Sequence, residues 1–188
     1  MAPPAVVIQP LLAPAAALAG DGPPGGALQL RLPHPAGPGD WAVHRDEPFG
    51  RLAAIDIGSN SIHMIVVAPQ TSGAYRVLGR EREMVRLGKT GLGEGVLSEA
   101  AIGNGLEALI RITTLARLKG ADRVVAVATS AVREAANGKD FLARVKAHTG
   151  LEVQLLTGAD EGRLIYRAVR EVVDLGPGTA AVIDVGGG

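Results

Sequence analysis

Cysteine is absent from the 188 residues, which removes disulfides, thiolate catalysis and Cys-ligated zinc together and agrees with a cytoplasmic protein. Aromatic residues make up 3% of the chain, too few to build stacking platforms for single-stranded nucleic acid. Neither sign of charge dominates: 19 Lys and Arg balance 19 Asp and Glu. With no global field to draw nucleic acid or acidic lipid, any anion site has to be local. No run of about 18 apolar residues is present, so a membrane segment is not expected. No pair among the four histidines has zinc-ligand spacing, and His63 reads as a packed or edge residue of a strand. What the chain does have is 47% hydrophobic residues, enough for one main core.

Ten of the twelve prolines lie in the first fifty residues, which are a different material from the rest. Proline withholds backbone donors and glycine raises the entropy cost of ordering, so residues 1–49 read as a disordered leader. Val6 to Leu12 followed by Ala15 to Ala19 has a faint secretory look. It lacks a positive start, since the first basic residue is Arg31, and prolines break its apolar part.

From Arg51 onward the pattern alternates. Strands are predicted at 51–57, 62–68, 74–86, 123–129, 152–156 and 179–184. Ser98 caps a helix reaching about Lys119, with Ile102, Leu106, Leu109 and Thr113 at helical spacing and Gly120 as its stop. Gly103 and Gly105 weaken its first turns. A short helix starts at Ser130, a second runs from Lys139 to Thr149 with Gly150 closing it, and a third covers roughly 159–172. Three strands able to pair as a meander, followed by alternating helices and strands, give an α/β domain with a mixed sheet.

Two segments carry the chemistry. Leu52 to Val67 is an apolar strand, a turn of small polar residues led by Asp56, and a second apolar strand. In that turn Gly58, Ser59, Asn60 and Ser61 offer backbone and hydroxyl donors to anionic oxygens. Ala180 to Gly188 ends on a similar device, with Asp184 before Gly186, Gly187 and Gly188. Two strand–Asp–x–Gly turns suggest loops pinching one polyphosphate or nucleotide. Breaking a phosphoanhydride needs charge neutralisation, an oriented water and usually a divalent cation. Asp56 and Asp184 are natural ligands for Mg²⁺ or Mn²⁺, directly or through water. Arg133 presents a planar fork to phosphate oxygens just after Thr129 and Ser130, which donate to the same anion. Arg86 and Lys89 read as the edge of an anion cleft or as a solvated loop, because the full phosphate-loop pattern is missing around them.

Asp56-Ile-Gly-Ser-Asn-Ser61, Ala128-Thr-Ser-Ala-Val-Arg-Glu-Ala-Ala-Asn137, Gly158-Ala-Asp-Glu-Gly-Arg-Leu-Ile-Tyr166 and Ile183-Asp-Val-Gly-Gly-Gly188 together resemble the Ppx/GppA family of exopolyphosphatases and guanosine pentaphosphate phosphohydrolases. The resemblance covers about residues 50–188 and implies a ribonuclease-H-like domain of the actin-like ATPase superfamily, with a mixed five-stranded sheet. It implies hydrolysis of terminal phosphoanhydride bonds and makes Glu161 the carboxylate that activates or orients the attacking water. Without it, Glu161 reads as an acidic residue of a first helical turn that favours the macrodipole.

The chain departs from the family pattern at its end. Members continue beyond the glycines with Ser/Thr and a further glutamate, then a second domain that closes the cleft. The expectation is therefore an incomplete first domain with little activity alone. The alternative is a non-catalytic polyphosphate- or nucleotide-binding module; a sugar or acetate kinase of the same superfamily fits the Arg133 and Glu161 segments less well. The partners expected are polyphosphate or guanosine pentaphosphate, without nucleic acid or membrane, and a homodimer of the full-length protein.

Overall fold

The computed structural model describes residues 50–71, 73–89, 95–176 and 178–186, so the leader reading of residues 1–49 lies outside it. Its strands are β1 (Leu52–Ile57), β2 (Ser61–Pro69), β3 (Tyr75–Met84), β4 (Arg123–Ala128) and β5 (Val153–Leu155). Its helices are α1 (Glu99–Leu118), α2 (Ser130–Glu134), α3 (Gly138–Thr149) and α4 (Gly158–Val172). One five-stranded sheet runs in the order β3-β2-β1-β4-β5. The meander β1–β3 is antiparallel, whereas β4 and β5 add in parallel through helical crossovers, so the sheet is mixed as predicted.

Strand alternation sorts the side chains. Ala53, Ile55 and Ile57 of β1, with Ile62, Met64 and Val66 of β2, join Leu109, Ile112 and Ala116 of α1 and Phe141 and Val145 of α3 in one core. Full burial of each large aliphatic or aromatic group contributes about 1.5–3 kcal/mol. The intervening positions Ala54, Asp56, His63, Ile65 and Val67 lie on the other face of the sheet. Asp56 therefore sits one residue from the end of β1, on the face opposite the main core.

Local signals fixed the helix ends. The Ser98 hydroxyl accepts from the Ala101 amide at 3.2 Å, and Gly120 follows α1 at φ +72°. Gly150 ends α3 in the left-handed region at φ +74°. Gly105 does more than weaken a helix. A Cβ there would meet Leu87 at 3.2 Å and Phe141 at 3.3 Å, so its bareness lets the turn after β3 and α3 close on α1. At Gly138 a Cβ would run into the Val132 carbonyl oxygen. Gly138→Ala should therefore destabilise the protein by about 1–3 kcal/mol, by forcing apart α2 and α3. Chemical denaturation should show a lower midpoint at unchanged slope.

Two predicted strands are corrected. The segment 179–184 forms no strand: only Ile183 makes an isolated bridge, and Ile183 and Val185 are exposed. Apolar alternation supplies propensity, but a strand also needs a partner, and this segment lies outside the five-stranded ladder. The third strand stops at Met84 rather than 86, because the Val85 and Arg86 amides both donate to the Asn60 carbonyl. Arg86 takes φ +53° to make that turn.

Candidate phosphate site

Three loops meet at the upper ends of β1 and β4. The β1–β2 turn is closed by the Gly58 amide donating to the Ser61 carbonyl at 3.1 Å. Its Ser59 carbonyl accepts from the Gly88 amide at 2.9 Å, which ties the turn after β3 to it. The Ser59 hydroxyl lies 3.0 Å from the Ser130 hydroxyl at the start of α2. This contact joins two motifs 71 residues apart, and nothing in the sequence pattern announced it. Thr129 is the N-cap of α2, its side chain makes no capping bond, and its amide reaches the Ile57 carbonyl at 3.3 Å. The Ser61 hydroxyl is 2.8 Å from His63 Nε2, so it is engaged along β2. Partial burial, helped by the nearby Arg82 guanidinium, lowers the His63 pKa below its ordinary value. Asn60 contributes its carbonyl, which anchors the end of β3.

Arg133 projects from α2 towards the start of α4. Its Nη1 donates to the Leu156 carbonyl at 3.0 Å and to Glu161 Oε2 at 3.2 Å, while Nη2 reaches Glu134 at 3.4 Å. The first turn of α4 explains why Glu161 faces that way. Thr157 caps the helix, accepting from the Asp160 amide at 3.1 Å and donating to its carboxylate at 2.7 Å. Asp160, bonded to Arg163 at 3.4 Å, thus completes the cap. Glu161, the next residue, points away from the cap to Arg133.

The carboxylates come together around Asp56. Burial, then the charges of Glu161 and Asp184, raise its pKa to about 6. Asp56 Oδ1 and Asp184 Oδ1 are buried without a hydrogen-bond partner. Two unpartnered carboxylate oxygens within mutual electrostatic reach suit a hard divalent cation. Among the described residues no three His, Asp or Glu side chains form a metal-holding group, so water or phosphate oxygens would complete the shell. Gly186 stands in open space beyond Asp184; Gly187, Gly188 and the Lys89 side chain lie outside the described residues. Among the described residues no helix is long and apolar enough to cross a membrane.

Comparison with known proteins agrees with this fold. The family model described as "Ppx/GppA phosphatase family" matches residues 66–188. Exopolyphosphatase 1 of Mycobacterium tuberculosis strain H37Rv is 33% identical over 138 residues, covering 73% of this chain and 40% of that protein. The crystal structure of an exopolyphosphatase from Cytophaga hutchinsonii superposes with a TM-score of 0.63 at 30% identity, over 65% of this chain and 39% of the other. The Aquifex aeolicus Ppx/GppA family member gives a TM-score of 0.60 at 35% identity, over 64% and 39%. The chain thus spans about two fifths of the length of these relatives. The mixed five-stranded sheet is the actin-like, ribonuclease-H-like fold that these structures share. By sequence and by fold, this chain belongs to the Ppx/GppA phosphatase family.

Proposed function

We propose that the protein hydrolyses the terminal phosphoanhydride bond of inorganic polyphosphate, with the described residues supplying one wall of the site. The observation that carries this reading is that Asp56 lies within electrostatic reach of Asp184 and Glu161, with the Arg133 guanidinium held on Glu161. The relatives named as exopolyphosphatases support it. Ser59, Ser130 and Thr129, with the Gly58 to Ser61 turn and the glycines after Asp184, cradle the terminal phosphate. Arg133 adds a charged fork to its oxygens. Glu161 takes the proton of the attacking water or fixes its orientation.

Asp56 and Asp184 would hold Mg²⁺ or Mn²⁺, which would neutralise charge on the phosphate oxygens. Full activity in excess chelator would remove this role from both residues; near-complete loss, restored by Mg²⁺, is the result expected.

Polyphosphate is preferred to guanosine pentaphosphate because its recognition needs phosphate contacts alone, and aromatic residues that could stack a guanine make up only 3% of the chain. In competition kinetics on the full protein, long polyphosphate should have the higher kcat/KM. A higher value for guanosine pentaphosphate would reverse this assignment. A cytoplasmic, homodimeric protein fits the same reading. A non-catalytic binding module is the second reading, favoured by one observation: Glu161 is already neutralised by Arg133.

A further inference from the structure

The edge strand β3 carries charges of both signs, and the sheet sorts them by face. Glu81 and Glu83 stand opposite Met64 and Ile62, on the core face, and each meets a cation of the α1 region: Lys119 at 3.6 Å and Arg111 at 3.2 Å. Arg80 and Arg82 alternate with them and point to the other face. Both are exposed, and neither guanidinium has an ion pair or a hydrogen bond among the described residues. Balanced composition thus conceals one neutralised face and one basic face on the same strand.

The basic face is the one that carries the candidate site. Register places Arg82 opposite His63, and His63 opposite Asp56, so the three form one row across β3, β2 and β1. Arg82 is close enough to help lower the His63 pKa. Arg80 lies opposite Ile65, one step further along the strand. Two residues of strand separate the arginines by about 6.6–6.8 Å. That suits a linear anion with charge at every repeat better than a compact one.

We propose that Arg80 and Arg82 form a subsite for the body of a polyphosphate chain whose terminal phosphate lies at Asp56. The subsite rests on the function proposed above and deepens it, making chain length the property that this face reads. A chain leaving the phosphate cradle across His63 meets Arg82 first and Arg80 next. Each guanidinium gives charge-assisted contacts without breaking an internal pair. Because these contacts lie away from the reacting phosphate, they add to binding and not to the chemical step.

The test is initial-rate kinetics of the full protein and its Arg80→Gln/Arg82→Gln double variant, on long polyphosphate and on tripolyphosphate. Both arginines are exposed, and unchanged thermal melting would show that the variant is folded. The variant should lose about tenfold or more in kcat/KM on the long chain, through KM. Its kcat should hold, and tripolyphosphate should change by less than about threefold. Arg80→Lys/Arg82→Lys should recover part of the loss. Equal losses on both substrates, or none on either, would overturn the subsite while leaving hydrolysis in place. A wild-type protein that hydrolyses neither substrate would overturn the functional reading itself, and the subsite with it.

Discussion

Glu161→Gln in the full protein should lower kcat about 100-fold or more and leave substrate binding nearly unchanged. General-base help contributes about 10²–10⁴-fold, and the amide keeps the shape while removing the base. The substitution also tests the helix-dipole alternative cleanly. Asp160 serves the cap with Thr157, so Glu161 is the acidic residue of that turn directed at Arg133. If Glu161 acted through the helix dipole alone, the variant would lose a few tenths of a kcal/mol of stability and keep its kcat. An unchanged kcat would therefore assign Glu161 to the helix and favour the binding module. Arg133 sharpens the test: in the variant its fork loses the ionic partner 3.2 Å away, so phosphate affinity should not fall.

Asp56→Asn should have the second large effect, on stability as well as on activity. The folded-state pKa of Asp56 is raised to about 6 from 3.8, so the folded protein holds this proton more tightly than the unfolded chain. The contribution is fully present below about pH 3.8 and is lost as pH rises through 6. Above that, the charged carboxylate opposes folding by on the order of 2–3 kcal/mol. Asp56→Asn should thus raise the melting temperature at pH 7–8 and give no such gain near pH 3.5. Mg²⁺ should stabilise the wild type more at pH 8 than at pH 5, and this increment should disappear in Asp56→Asn. A wild-type melting temperature indifferent to Mg²⁺ at pH 8 would contradict a cation site at Asp56. Hydrolysis by the variant should fall steeply at every pH.

Much of this was legible in the sequence, for identifiable reasons. Ser98, Gly120 and Gly150 act on their own turns, so the ends of α1 and α3 could be read within a residue or two. The apolar runs on either side of the Asp56 turn showed that two strands flank it. What sequence could not show were effects of distant partners. The segment 179–184 has the composition of a strand but no ladder to join. Gly105 looks like a helix-weakening residue until Leu87 and Phe141 are seen against it.

The site divides in the same way. Asp56, Arg133, Glu161 and Asp184 are visible as motif residues, and the fold brings them to one place. The hydroxyl contact between Ser59 and Ser130 and the engagement of Ser61 with His63 depend on register and crossover geometry. The Thr157 cap had a local signal, Asp three residues later, and was readable. The unpaired Arg80 and Arg82 were hidden by a net charge of zero, because Glu81 and Glu83 cancel them in the count but face the other way.

The central claim is that these loops hold the end of a polyphosphate chain for hydrolysis. Its most direct test is to incubate the full protein with long polyphosphate and Mg²⁺ and to resolve the products by length over time. Orthophosphate should be the only small product, accumulating while the remaining chains shorten gradually, and Glu161→Gln should suppress it. Fragments of intermediate length, or no orthophosphate from a folded protein, would contradict the claim.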